Sequence, residues 1–263
     1  MIWRRHRRTG PRHTPEQVAA TWQVASVLLD YPDVALRDGR AELEAAITAA
    51  REISPAMRDA LKALLEHLAT AELMDVQEAY SELFERGRTL SLLLFEHVHG
   101  ESRDRGQAMV DLMAQYEEAG FAIGVKELPD YIPLYLEYLA SREDAEAREG
   151  LADVEHLLAL LAARLDERES GYAACLRALL QIAGADAQAV VEEVRAQVSA
   201  ETRDDSLEAL DAEWEEEMIT FLNGDQNASC GTTAGTKGKA REEVAVPVHW
   251  VGFNQSAAPA GKA

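Results

Sequence analysis

Apolar side chains recur every three or four residues from about residue 15 to residue 222, which is the spacing of one face of an α-helix. The first such segment opens on Thr14 and Pro15, an N-cap residue followed by a proline at the first helical position. Ser54 and Pro55 repeat the same opening signal. Gly and Pro, which disfavour helix interiors, are sparse before the last forty residues. The pattern predicts an all-α fold with little or no sheet.

We predict a single-domain helical bundle of about nine to ten helices over residues 14–222. Residues 1–13 are predicted to be a basic N-terminal tail, and residues 223–263, where the helical period is lost, a flexible C-terminal tail. Residues 90–98 are so apolar that we predict a buried helix, although a run of this length also allows a strand. Residues 121–133 carry two prolines and predict an ordered loop that leads into a helix over residues 131–140.

The chain has a net charge of -21, since it contains 47 acidic residues and only 26 lysines and arginines. This charge limits the kinds of partner that it can bind. Such a chain repels nucleic acid and anionic lipid at long range and attracts basic peptides. We therefore predict no nucleic-acid partner. The charge is unevenly distributed, because five arginines and no acidic residue occupy the first thirteen positions: Arg4, Arg5, Arg7, Arg8 and Arg12.

Cysteine usage and hydropathy predict a cytoplasmic protein that does not insert into a membrane. Cys175 and Cys230 are the two cysteines of the chain, too few and too far apart for a disulfide framework or a four-ligand zinc site. Arg4 and Arg5 are not followed by the apolar stretch of an export signal. No apolar run approaches the roughly 20 residues that span a bilayer.

Four motifs between residues 80 and 139 carry the most specific signal in the chain. They are YSELF at Tyr80–Phe84, LSLLLFEHVHG at Leu90–Gly100, SRDRGQAM at Ser102–Met109 and ELPDYIPLYLEYL at Glu127–Leu139. In order and spacing they resemble the NarJ family, the respiratory nitrate reductase delta subunits or molybdenum cofactor assembly chaperones, within the wider group of TorD-like and DmsD-like chaperones. The resemblance covers about residues 15–222.

The resemblance implies a TorD-like helical fold and a system-specific chaperone that is not an enzyme and holds no cofactor of its own. It implies that the chain binds the N-terminal segment of the catalytic (alpha) subunit of respiratory nitrate reductase and assists molybdenum cofactor insertion and complex assembly. It says nothing about residues 1–13 or the C-terminal tail. The oligomeric state stays open.

The loop from Glu127 to Pro133 is suited to binding a peptide. Its prolines fix backbone dihedrals and lower the entropy lost on binding, while Glu127 and Asp130 offer carboxylates to basic side chains. Glu137 lies about two helical turns beyond Asp130 and so on a similar face. A structural alternative is that Asp130 only caps a helix and the tyrosines only fill the core. We predict a peptide-binding set of Glu127, Asp130, Tyr131, Pro133, Tyr135, Glu137, Tyr80, Phe84, His97, His99, Arg103 and Asp104.

Two other functions compete with the chaperone. The first is a metal-dependent helical hydrolase centred on His97, His99 and Asp104, since imidazoles and a carboxylate can hold an ion. Residues two apart on a helix point about 200° apart, however, so we predict no metal site. The second is a helical regulatory scaffold without a peptide groove. Cys175 lies in a helical apolar pattern and is predicted to be an inert core thiol.

Overall fold

A computed structural model describes residues 15–215 of the chain, except residues 101, 124–126, 202, 210 and 213, and it describes no side chain in residues 15–19. The predicted tails, residues 1–13 and 223–263, lie outside this range. The helices of the described part are α1 (Pro15–Leu29), α2 (Val34–Asp38), α3 (Arg40–Ala49), α4 (Pro55–Thr70), α5 (Leu73–Phe84), α6 (Leu94–His99), α7 (Asp104–Glu118), α8 (Ile132–Ala140), α9 (Asp144–Asp153), α10 (Glu155–Glu167), α11 (Ala173–Ala183) and α12 (Ala187–Val198).

The all-α prediction is confirmed, and the described residues contain no β-strand. These twelve helices, together with helical residues at 207–209, 211–212 and 214–215, exceed the predicted nine to ten, in part because Gly39 separates α2 from α3 and Val154 separates α9 from α10. The predicted start at Ser54 is confirmed, since its hydroxyl accepts a hydrogen bond from the Met57 amide at 3.2 Å.

The helix predicted over residues 90–98 forms only in its second half, as α6. The first half forms a turn and a bend that end at Leu93, whose extended backbone forms an isolated antiparallel bridge with Tyr131. Leu90, Leu92 and Leu94 are all buried. The run is apolar because it crosses the core, and its backbone pairs with a distant loop instead of with itself.

The core is built around α11, on which Cys175, Leu176, Leu179 and Leu180 are fully buried. Cys175 is a buried free thiol as predicted, and burial raises its pKa above the ordinary value, so it stays protonated. Helix α10 packs between α11 and α12, and α1 packs along α8. The buried Ser26 hydroxyl of α1 donates to the Pro133 carbonyl of α8 at 2.9 Å. These contacts fix α8 against the body of the bundle.

Asp204 attaches the segment after α12 to the turn that follows α5. Its Oδ2 accepts hydrogen bonds from the amides of Arg88 and Thr89 at 2.7 and 2.8 Å, and its Oδ1 accepts from the Thr89 hydroxyl at 2.6 Å. A Cβ atom at Gly87 would lie 2.6 Å from Oδ1, so a larger residue at this position would displace the Asp204 carboxylate from this approach. The turn after α5 is therefore held in place by a residue that follows α12.

We predict that Asp204→Ala lowers the free energy of unfolding by about 2 kcal/mol, because hydrogen bonds to a carboxylate are lost and backbone donors are left unpaired. Urea denaturation measures this loss. Asp211→Ala, at an exposed position, is the matched control and should change stability by less than about 0.5 kcal/mol. Equal stability of the two variants would show that the Asp204 contacts do not hold the turn.

Candidate functional site

The loop before α8 is tied to the segment before α6 by backbone hydrogen bonds. The Leu94 amide donates to the Asp130 carbonyl at 2.9 Å, and the Ile132 amide donates to the Leu92 carbonyl at 2.8 Å. From the other side, the Tyr116 hydroxyl of α7 donates to the Pro129 carbonyl at 2.7 Å. The loop is therefore ordered at its C-terminal end, as the prolines predict.

Asp130 is fully buried at the centre of this pairing. Its Oδ2 accepts a hydrogen bond from the Phe95 amide at 3.0 Å, and its Oδ1 has no hydrogen-bond partner among the described residues. Burial raises the pKa of the Asp130 carboxyl, and the Phe95 amide and the charge of Arg105 act in the opposite direction. Asp130 thus caps α6 across the fold, whereas the N-cap of α8 is Tyr131.

Tyr131 joins α5 and α1 through a chain of hydroxyl groups. Its hydroxyl donates to Oδ1 of Asp30 at 2.9 Å and lies 3.0 Å from the Tyr80 hydroxyl. The Tyr80 hydroxyl donates to the Leu29 carbonyl at 2.9 Å. Burial raises the pKa values of Tyr80 and Tyr131 above the ordinary value, so both phenols stay protonated. The two tyrosines are held in one orientation.

Contacts between aromatic rings extend this network. The Tyr80 ring packs against Phe84 at 4.8 Å between ring centroids and edge-on against Tyr31 at 5.4 Å. Phe84 packs edge-on against Tyr172 at 5.0 Å. Such tilted and edge-on pairs are favourable arrangements of aromatic rings. They make a rigid wall out of residues that lie far apart in the sequence.

A cleft of about 630 Å³ opens at this wall, and we call it the tyrosine cleft. Its charged lining is mostly acidic, with four carboxylates and two arginines. Leu128 and Trp214 at its edge are 43% and 70% exposed, so apolar surface is accessible to a partner. The residues that define the cleft are Asp30, Tyr31, Tyr80, Phe84, Glu85, Arg86, Arg88, Glu96, Glu127, Leu128, Tyr131 and Trp214.

A second cavity, of about 730 Å³, lies on the other side of Asp30 and Tyr31, and we call it the acidic groove. Its floor is apolar, and each charged side chain that lines it among the described residues is a carboxylate. The residues that define the groove are Val24, Val27, Asp30, Tyr31, Asp33, Leu36, Glu42, Leu43, Phe121 and Glu137.

The predicted residues separate into groups. Tyr80, Phe84, Glu127 and Tyr131 meet in the tyrosine cleft, whereas Glu137 lines the acidic groove. Three others belong to the scaffold. Asp130 and Pro133 are buried, and Tyr135 is half-buried with its hydroxyl donating to the Gly150 carbonyl at 3.2 Å. Burial raises the pKa of Tyr135 to about 12.

The placement of Asp130 corrects the prediction that its carboxylate is offered to a peptide, because a fully buried side chain is not on the accessible surface. The structural alternative, in which it caps a helix, fits the observed contacts, although the capped helix is α6. Asp130 and Glu137 do not share a face, since α8 begins at Ile132 and helical spacing does not extend back to Asp130.

The histidine motif lies beside the tyrosine cleft. His97 is half-buried and its Nε2 donates to the Ser91 carbonyl at 2.7 Å, while burial lowers its pKa and keeps the ring neutral. The His99 ring packs against Phe95 at 5.7 Å between centroids.

Arg103 and Asp104 are exposed at the start of α7. In the described part of the chain no three His, Cys, Asp or Glu side chains are arranged to hold a metal ion, so the hydrolase alternative gains no geometric support.

Sequence reasoning did not select Asp30, Tyr31, Leu128 or Trp214 as site residues. Asp30 and Tyr31 lie between the end of α1 and Pro32. Their part in the site depends on residues far away in the chain, because Asp30 accepts from the Tyr131 hydroxyl and the Tyr31 ring packs against Tyr80. For Trp214 the sequence offers one local signal, an aromatic residue within a strongly acidic segment, and the structure adds that its ring is exposed.

The fold and the site define an all-helical protein with an aromatic, acidic surface cleft. Among the residues that the structure describes, no helix is long and apolar enough to cross a membrane. The family model described as "Nitrate reductase delta subunit" matches residues 50–178 of the chain.

Three relatives extend this match. The nitrate reductase molybdenum cofactor assembly chaperone NarJ of Escherichia coli K12 is 49% identical over 218 residues, which cover 83% of this chain and 90% of the relative. The probable chaperone NarW of the same strain is 47% identical, over 78% of this chain and 85% of the relative. The probable chaperone NarJ of Bacillus subtilis is 34% identical, over 61% of this chain and 86% of the relative. The chain belongs to the nitrate reductase delta subunit family.

We predict that Asp130→Asn leaves stability equal to that of the wild type, or raises it, at pH 7. Asparagine can still accept from the Phe95 amide, and it removes the penalty of a buried charge. Asp130→Ala loses the acceptor and should lower the free energy of unfolding by about 1–3 kcal/mol.

The pH dependence provides the check, and urea denaturation at several pH values measures it. A raised folded-state pKa means that the folded chain holds the proton more tightly, so the wild type loses stability relative to Asp130→Asn as pH rises above about 3.9. The gap should close at lower pH. A gap that is constant with pH would contradict the buried charge.

Proposed function

We propose that this chain is an assembly chaperone for nitrate reductase that binds the N-terminal segment of the catalytic subunit in the tyrosine cleft. Family membership supports the chaperone role, because the three relatives are named as molybdenum cofactor assembly chaperones, or probable ones, and not as catalysts. The observation that carries the binding site is the aromatic cleft, which brings four predicted residues together. We infer that the chaperone works in the cytoplasm.

The chemistry of the cleft suits a short amphipathic segment with basic residues. Leu128, Trp214 and Tyr31 offer partly exposed apolar surface, and burial of such surface provides most of the affinity of a peptide. Glu127 and Glu85 are exposed carboxylates at the same cleft and can pair with lysine or arginine. Apolar contacts then give affinity, while the charges set orientation and association rate.

The rigidity of the cleft supports the same proposal. Tyr80 and Tyr131 are fixed by the hydrogen bonds to Leu29 and Asp30, and the loop is fixed by its backbone pairing with residues 92–94. A wall that is already ordered loses little conformational entropy when a segment binds. The cleft can therefore bind a flexible client segment without first folding itself.

Binding of this kind requires no chemical step by the chaperone. A chaperone that holds the N-terminal segment of its client keeps that segment from premature contacts while the cofactor is inserted. The chaperone then assists assembly by binding, and so favouring, the client conformations that can still accept the cofactor. The regulatory scaffold without a groove is the second candidate, and it predicts no affinity of the cleft for the client segment.

We predict that a synthetic peptide of the client's N-terminal segment binds the full chain saturably, and that Leu128→Asp weakens binding about tenfold or more. Leu128 is half-exposed, so the substitution should leave the fold intact, but it places a charge on the apolar edge of the cleft. Isothermal titration calorimetry measures the affinity.

Val110→Asp is the matched control, since Val110 is 59% exposed on α7 and outside the cleft. It should bind the peptide like the wild type. Equal weakening by both substitutions would place the binding site elsewhere. Absence of saturable binding to the wild type would favour the scaffold.

A further inference from the structure

The acidic groove has a composition that the client cleft does not explain. Asp33, Glu42 and Glu137 line it from three different elements: the turn after α1, α3 and α8. Within the described residues, Glu42 and Glu137 form no ion pair with a lysine or arginine. Between the carboxylates lies an apolar floor that includes Val24, Leu43 and Phe121.

Bringing these carboxylates together is unfavourable unless a cation approaches. Burial, and then the charge of Asp30, raise the pKa of the Glu137 carboxyl. Like charges around a partly apolar cavity create a negative potential that favours a cationic ligand. The geometry therefore selects a ligand with several positive charges and some apolar surface.

Residues 1–13 of this chain have that composition. They contain five arginines and no acidic residue, and Ile2 and Trp3 add apolar surface. These residues lie outside the described part of the chain, which begins at Pro15, the first residue of α1. Helix α1 itself forms one wall of the groove through Val24 and Val27.

The chain is long enough for these residues to reach the groove. From Pro15 to Val27 the helix advances about 18 Å at 1.5 Å per residue. An extended chain covers about 3.4 Å per residue, so about six residues folded back along α1 reach the level of Val27. Arg4, Arg5, Arg7 and Arg8 precede Pro15 by seven to eleven positions and lie within this reach.

We propose that residues 1–13, which we call the arginine arm, bind in the acidic groove of the same chain as an intramolecular ligand. The arginines pair with Asp33, Glu42 and Glu137, and Trp3 contacts the apolar floor. Because Asp30 and Tyr31 line both cavities, the bound arm lies directly beside the tyrosine cleft. This proposal does not depend on the identity of the client.

Each exposed ion pair is weak, but tethering makes the sum effective. A short flexible connection gives an effective concentration of about 1 mM or more, so an arm with an intrinsic dissociation constant of about 0.1 mM would occupy the groove most of the time. An added basic peptide would then have to compete with the arm.

The test uses full-length chain and a fluorescent synthetic peptide of residues 1–13, followed by fluorescence anisotropy. A full-length variant with all five arm arginines changed to glutamine should bind this peptide about tenfold more tightly than the wild type, because its own arm no longer competes. Adding Glu42→Gln and Glu137→Gln to that variant should reverse the gain. Raising the salt concentration from about 0.05 M to about 0.5 M should abolish the difference.

Glu78→Gln with Glu117→Gln is the control pair, since both positions are exposed and outside the two cavities. In the arginine-free variant it should leave peptide binding unchanged. Equal binding by the wild type and the arginine-free variant would overturn the proposal. So would concentration-dependent association of the wild type that the arginine substitutions abolish, because the arm would then bind a second copy.

These outcomes are separate from those of the client experiment. Client binding that depends on Leu128, combined with no effect of the arm, would refute the arm and leave the proposed function intact. An effect of the arm without client binding would support the arm and contradict the proposed client-binding site.

Discussion

The structure of the site depends on the pairing of two loops, the segment before α6 and the segment before α8. Two backbone hydrogen bonds and the contact of Asp130 with the Phe95 amide hold these segments together across the fold. The pairing determines where α6 and α8 begin, and it places Tyr131 between Tyr80 and Asp30. Without it, the aromatic wall of the cleft would have no fixed position.

Placing the Asp130 carboxylate between the two loops costs free energy, because its charged form is poorly solvated when it is buried. The cost is offset in part by the Phe95 amide, and Arg105 stabilises the charge at longer range. Asp130 gives directional hydrogen bonding that an apolar residue could not, and directionality fixes the start of a short helix. The adjoining tyrosines act in the same way, since their hydroxyl groups have defined partners.

The sequence predicted most helices because periodicity, caps and prolines act over a few residues. The Ser54 cap and the buried Cys175 are examples. Contacts between distant segments were not predictable in this way. The non-helical backbone of Leu93 depends on its pairing with Tyr131, and the role of Asp30 depends on the same residue. The composition of the loop predicted an accessible Asp130 carboxylate, whereas the tertiary pairing of the two loops buries it.

The central claim is that the paired loops present the tyrosine cleft to the N-terminal segment of the client. A photo-reactive amino acid at position 128, with position 110 as the reference site on α7, tests it in a mixture of the full chain and the catalytic subunit. The account predicts a cross-link from position 128 to the N-terminal segment, identified by mass spectrometry, and none from position 110. Cross-links of equal yield from both positions, or from position 128 to other parts of the subunit alone, would contradict it.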